Sequence, residues 1–210
     1  MTAHTQSLHG LYAVTDSNLA AAGKLLTAAE GAIRGGACLL QYRDKSPDQP
    51  RREAEARALL QLCHNHNVML VINDDVALAA SIGADGVHLG KEDATLHEAR
   101  VMLGPRSIIG VSCYASLERA TAAAHAGADY VAFGSFFPSP NKPRAAPAPI
   151  SLLENARRQL NVPVCAIGGI TPDNGGALLR AGADMLAVIS GIFAQADFEA
   201  AARRYARLFT

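Results

Sequence analysis

Ile82-Gly83-Ala84-Asp85-Gly86-Val87-His88-Leu89 closes one apolar segment and opens another, and its turn recurs as Gly127-Ala128-Asp129 and Gly182-Ala183-Asp184. At each copy the glycine can act as a left-handed helix cap, the alanine packs tightly, and the aspartate can hold the turn through side-chain to backbone bonds. Outward from these turns, helical and strand segments alternate along the whole chain. The strands expected are Leu11–Val14, a run over 39–45, Val68–Ile72, Val87–Leu89, Ile108–Val111, Tyr130–Phe133, Val164–Ile167 and Met185–Ile189. Between and after them, helices are expected over 19–32, 51–64, 76–82, 96–103, 116–126, 151–160, 172–181 and 198–208. The strands are continuous apolar runs rather than period-2 patterns, which marks parallel strands covered on both sides. Repeats spaced by one or more βα units favour an α/β (β/α)8 TIM barrel over a doubly wound sheet. A dinucleotide-binding sheet would also need Gly-x-Gly-x-x-Gly after its first strand, and Leu11-Tyr12-Ala13-Val14-Thr15-Asp16 has no glycine.

Length and composition agree. A chain of 210 residues, 50% hydrophobic and without tryptophan, suits a single barrel domain over 1–210 with an aliphatic core. With 19 basic and 19 acidic residues the formal charge is zero, which argues against a nucleic-acid or membrane-surface partner. The segment Met1 to His9 is polar, with no signal core, and no apolar run reaches about 18 residues. Cys38, Cys63, Cys113 and Cys165 stand far apart, three of them in or just after apolar runs, so they read as small hydrophobes in a reduced, cytoplasmic compartment.

In such a barrel chemistry sits at the C-terminal ends of the strands. The second of those ends is Leu39-Leu40-Gln41-Tyr42-Arg43-Asp44-Lys45. In an extended strand Gln41, Arg43 and Lys45 point the same way, and an anion rich in oxygens, such as a diphosphate, would satisfy all three. Other ends supply Asn73, Asp74, Asp93, Ser112, Lys142, Gly168-Gly169 and Ser190-Gly191. Asp74 and Asp93 follow adjacent strands, and Mg²⁺ commonly takes one or two carboxylates plus phosphate oxygens. Either could instead cap a helix, although Asp75 is the better cap for the helix at Val76, which frees Asp74. His88 reads as a hydrogen-bonded core histidine before a ligand. The loop from Gly134 to Pro143 is long, and five of the ten prolines fall between Pro138 and Pro149. It reads as an active-site flap that presents Ser139, Asn141 and Lys142. Glycines at the ends of strands seven and eight suit the recurrent barrel phosphate site.

Those motifs, in order, resemble the thiamine-phosphate synthase family. They are Gln41-Tyr42-Arg43-Asp44-Lys45, Ile72-Asn73-Asp74, His88-Leu89-Gly90-x-x-Asp93, Gly110-Val111-Ser112, Phe137-Pro138-Ser139-x-Asn141-Lys142, Ile167-Gly168-Gly169-Ile170 and Ile189-Ser190. The resemblance implies a transferase of a pyrimidinylmethyl group. It would join 4-amino-2-methyl-5-(diphosphooxymethyl)pyrimidine to a hydroxyethylthiazole-type phosphate, giving thiamine phosphate and pyrophosphate. It places the pyrimidine diphosphate on Gln41 to Lys45, Asn73, Ser112 and Lys142, and Mg²⁺ on Asp74 and Asp93. It places the thiazole phosphate on Ser139, Asn141, Gly169, Ile189 and Ser190. Arg43, Lys45, Ser112 and Lys142 would carry the charge stabilisation. The partners implied are the two small substrates, and a homo-oligomer is left open. Two positions depart from the family: Ser139-Pro140-Asn141-Lys142 stands for Thr-x-Thr-Lys, and Lys91 for glutamine. The alternatives are a thiazole tautomerase-type relative, which would not need the diphosphate and magnesium set, and a non-catalytic phosphate-binding barrel.

Overall fold

Aliphatic strands buried on both faces are satisfied by closing the sheet on itself inside a ring of helices. The structure, a computed structural model, describes residues 8–21, 23–138 and 147–210. Its strands are β1 (Gly10–Val14), β2 (Ala37–Tyr42), β3 (Met69–Asn73), β4 (Gly86–Leu89), β5 (Ile108–Tyr114), β6 (Tyr130–Phe133), β7 (Val164–Ile167) and β8 (Met185–Val188). All pair in parallel in chain order, and β8 returns to β1. This is the expected (β/α)8 barrel. The helices are α1 (Ser17–Ala21), α2 (Leu25–Arg34), α3 (Gln49–Asn65), α4 (Val76–Ile82), α5 (Leu96–Leu103), α6 (Leu117–His125), α7 (Ser151–Gln159), α8 (Gly175–Arg180), α9 (Ser190–Phe193) and α10 (Phe198–Ala206).

Strand alternation divides the core. Leu39 of β2 faces a small interior cluster with Tyr12, Val71, Tyr130 and Met185. Leu40 and Tyr42 face the larger layer between sheet and helices. Each fully buried leucine contributes about 1.5–3 kcal/mol there. Cys63, Cys113 and Cys165 are buried and all four thiols are free, so they pack as hydrophobes. Burial pushes Cys63 up to about 12 and Cys113 up to about 11, which makes both inert.

Several boundaries differ from the sequence reading. The helix expected over 19–32 is two, α1 and α2, with Gly23 between them at φ 64. β2 ends at Tyr42, short of Lys45. The helix expected from Pro172 starts at Gly175, because Thr171 and Asn174 cap each other's amides first. The short α9 after β8 was not expected. In the repeated turns Gly83 is the left-handed cap (φ 69), but Gly127 and Gly182 fall one residue past αR caps at Ala126 and Ala181. The aspartates also reach further than their own turns, bonding the amides of Leu70, Ile109 and Val164 on the neighbouring strands.

Candidate active site

Register brings one layer of polar residues level near the mouth. Val14 pairs with Gln41, Asn73 with His88, and His88 with Gly110. Gln41 and His88 join Tyr12, Tyr130 and Ser112 in a single hydrogen-bonded chain across the barrel. Gln41 Nε2 donates to Tyr12 Oη at 2.5 Å, and the Tyr12 and Tyr130 hydroxyls are 2.8 Å apart. His88 Nδ1 lies 2.8 Å from Tyr130 Oη, and its Nε2 lies 2.8 Å from Ser112 Oγ. The His88 ring stacks on Tyr130 at 5.6 Å between centroids. Burial lowers the His88 pKa to about 4, against a smaller opposing pull from the Asp93 carboxylate, so the ring is neutral at pH 7. Burial raises both tyrosines well above their ordinary value.

Above this layer lies a cavity of about 450 Å³, open at the C-terminal end of the barrel. Gln41, Arg43, Asn73 and Ser112 line one side of it, and Gly169, Ile189 and Ser190 another. The backbone of Arg43 is anchored by Thr15, whose Oγ1 accepts from Arg43 N at 2.9 Å. Thr15 is itself buried and secures the end of β2. Ser112 lies inside β5, which continues to Tyr114. From α6, Arg119 donates to the carbonyls of Ser112 (2.8 Å) and Gly90 (3.2 Å), so one guanidinium ties the ends of β4 and β5.

An adjoining recess of about 280 Å³ holds Lys45 and Asp74, and Asn73 borders both spaces. Lys45 Nζ sits 3.6 Å from Asp74 Oδ2. Asp74 takes φ 63, a left-handed conformation that aspartate tolerates better than most residues. Asp75 caps α4 through Leu78 N, and Thr95 caps α5 in a capping box with Glu98. Neither Asp74 nor Asp93 is therefore needed as a cap. Asp93 folds back onto Gly90, its Oδ2 accepting from Gly90 N at 2.5 Å. A Cβ at Gly90 would lie 2.7 Å from that oxygen and 3.9 Å from Asp74 Oδ1, so both carboxylates gather over one glycine. Desolvation first, then the Asp93 carboxyl beside it, raise Asp74 to about 6, while Lys45 and Asn73 pull it back. Two facing carboxylates that repel each other's charge fit a divalent cation whose remaining positions are filled by water and phosphate oxygens. Among the described residues no cluster of three or more His, Cys, Asp or Glu gathers as a metal site.

Not every sequence-predicted residue comes to the mouth. Tyr42 faces the helices and donates to Glu55 Oε2 at 2.6 Å. The Asp44 carboxylate accepts from Arg51 Nη2 and Ser46 N, each at 2.7 Å, and its side chain is 1% exposed. Alternation from Gln41 sends both residues outward, where they hold the β2 end against α3. Gly168 and Gly169 take φ 104 and 63. A Cβ on Gly169 would lie 2.4 Å from Pro138 O and 2.7 Å from Phe137 O, so the loop after β6 already needs that glycine bare. Ser139, Asn141 and Lys142 lie outside the described residues. Tyr12, Tyr130, Thr15 and Arg119 escaped the sequence reading. Only the tyrosines carried a signal there, as phenols at inward positions of aliphatic strands.

Fold and site together define a (β/α)8 barrel whose polar strand ends, carboxylate pair and bare glycines surround one cavity at the C-terminal mouth. A family model described as "Thiamine monophosphate synthase" matches residues 11–192. The thiamine-phosphate synthase of Thioalkalivibrio sulfidiphilus (strain HL-EbGR7) is 56% identical over 209 residues, covering 100% of this chain and 99% of that one. That of Nitrosococcus oceani is 50% identical over 205 residues, covering 98% and 94%. Among solved structures, thiamine phosphate pyrophosphorylase from Pyrococcus furiosus superposes with a TM-score of 0.87 at 32% identity, over 97% of this chain and 96% of that one. The chain belongs to the thiamine monophosphate synthase family and is a transferase of the thiamine-phosphate synthase type. Among the described residues no helix is long and apolar enough to cross a membrane.

Proposed function

We propose that this chain joins 4-amino-2-methyl-5-(diphosphooxymethyl)pyrimidine to hydroxyethylthiazole-type phosphate, releasing thiamine phosphate and pyrophosphate. One observation carries the reading: donors on β2, β3 and β5 face the bare glycine backbone of the β7 and β8 ends across a single cavity, flanked by the Asp74–Asp93 pair. Gln41, Arg43, Asn73 and Ser112 would hold the pyrimidine diphosphate, with Lys45 and Lys142 adding positive charge. Gly169, Ile189 and Ser190 would hold the thiazole phosphate, with Ser139 and Asn141 as further donors to it. The short α9 after β8 suits that role, since barrel phosphate sites often use such an extra helix.

Asp74 and Asp93 would hold Mg²⁺, which when bound neutralises charge on diphosphate oxygens. The reaction then needs no protein nucleophile. The carbon–oxygen bond to diphosphate breaks with its electron pair leaving on pyrophosphate. The aminopyrimidine ring spreads the resulting positive charge, and the thiazole nitrogen supplies the pair for the new carbon–nitrogen bond. Arg43, Lys45, Lys142 and Ser112 act where charge develops on the leaving oxygens, which is where fixed electrostatic groups accelerate most. Tyr42 and Asp44 enter this reading only as supports of the β2 end. Pyrophosphate release that requires both substrates and Mg²⁺ tests it. Release from the pyrimidine diphosphate alone, or phosphate binding without release, would overturn it.

A further inference from the structure

We propose that the buried chain Gln41–Tyr12–Tyr130–His88–Ser112 has one fixed direction of hydrogen-bond donation, which turns the Ser112 hydroxyl hydrogen into the cavity, and that Tyr130 is a positioning residue for the reaction. The argument is a count of hydrogens. Gln41 Nε2 has hydrogens to give and no lone pair to offer Tyr12 Oη. Tyr12 then turns its single hydrogen to Tyr130, 2.8 Å away, and among the described residues His88 Nδ1 is what Tyr130 has left to donate to. A neutral imidazole carries one N–H, which is thereby placed on Nε2 and donates to Ser112 Oγ at 2.8 Å. The Ser112 hydrogen takes no part in the chain and is free to point at a ligand.

Direction matters because the two directions present opposite faces of the serine. Run this way, Ser112 offers a donor to an anionic oxygen, with His88 N–H polarising the hydroxyl from behind. Reversed, Ser112 would direct its hydrogen at His88 and show the cavity only lone pairs, which repel a phosphate oxygen. The count itself requires a neutral ring, since an imidazolium would leave the Tyr130 hydrogen with no acceptor at Nδ1. The packing is tight enough to hold one geometry: Tyr130 is fully buried, and a Cβ on Gly110 would lie 2.0 Å from its ring. The kinetic consequence rests on the diphosphate binding at Ser112 as proposed above; the direction of the chain does not.

The experiment has two arms. In the free wild-type enzyme, ¹⁵N NMR of the His88 ring should show a protonated Nε2 and a bare Nδ1; a protonated Nδ1 would overturn the proposal whatever the substrates are. In Tyr130→Phe, Nδ1 loses its donor, so the ring should populate both tautomers. With a native circular dichroism spectrum, kcat should fall about 10- to 100-fold, short of the ~10²–10³ for deleting a direct donor. KM for the thiazole phosphate should not move. A folded Tyr130→Phe that keeps kcat within about twofold, or that raises both KM values while keeping one tautomer, would refute the positioning role. Should wild type itself release no pyrophosphate, the proposed function fails while the tautomer arm still stands.

Discussion

Asp184 Oδ2 accepts the amide of Val164 at 2.8 Å, so the residue that introduces β8 grips the start of β7. Asp129 does the same to Ile109 on β5, and Asp85 to Leu70 on β3, each at 2.8 Å. The repeated Gly-Ala-Asp turn is thus a threefold clamp on the N-terminal rim of the barrel, where residues act on stability rather than chemistry. Asp184→Ala should leave the Val164 amide without its partner, at a cost of about 1–3 kcal/mol. A chain of this size should then melt roughly 2–10 °C lower. Both KM values and kcat should hold below that temperature. A kinetic defect without a thermal one would show that the clamp reaches the site.

Asp74 and Asp93 give a second expectation, in the metal-free protein. Asp74 titrates near 6, above its ordinary value, so its contribution to stability is present at low pH and lost as pH rises through about 6. Wild type treated with a chelator should therefore lose part of its stability across that range, and Mg²⁺ should restore it by binding the ionised pair. In Asp93→Asn both the pH slope and the gain on adding Mg²⁺ should shrink, and turnover should need far more metal. Melting curves with and without Mg²⁺ measure this. An unchanged magnesium midpoint in Asp93→Asn would strike that residue from the metal site.

His88 has the opposite sign. Its pKa falls from 6.5 to about 4 on burial, so its contribution is complete above pH 6.5 and is lost as pH drops toward 4. The shift corresponds to roughly 3 kcal/mol over that window. His88→Gln removes the titration, and its stability should vary less between those pH values, although the variant starts lower for want of two hydrogen bonds. Acid titrations followed by circular dichroism would compare the slopes, and equal slopes would assign the acid sensitivity elsewhere.

The barrel was legible because its determinants are local. Apolar runs such as Val164 to Ile167 and capping residues such as Asp75 and Gly83 act within a few positions of themselves, and the structure uses them as read. The misread parts depend on partners distant in sequence. Nothing near Thr15 indicates that it holds Arg43, 28 residues on, and nothing near Tyr12 indicates Tyr130, 118 residues on. Asp44 has a partner that its place in the motif does not show, for a related reason. Sequence order places it between Arg43 and Lys45, but strand alternation turns it to Arg51. The residues read at the other strand ends, Asn73, Ser112, Gly169 and Ser190, do come to one cavity because the fold itself gathers strand ends there.

Arg43 and Gly169 test whether the cavity has two separate phosphate regions. Arg43 lines the side of the cavity nearest Gln41 and Asn73, where its guanidinium would meet substrate. Arg43→Ala should raise KM for the pyrimidine diphosphate or lower kcat by about 10- to 100-fold, the scale of one charge-assisted contact, and leave KM for the thiazole phosphate nearly unchanged. Gly169→Ala is a less simple change. Its Cβ meets the carbonyls of Phe137 and Pro138, and its φ of 63 strains any other residue, so the loop after β6 must shift. The variant should melt a few degrees lower and raise KM chiefly for the thiazole phosphate, because that loop and the Gly169 amide border the same side of the cavity. Varying each substrate in turn, at a temperature where both variants are folded, separates the two effects. Equal increases in both KM values for both variants would mean a single shared phosphate region and would remove the division of labour drawn across the mouth.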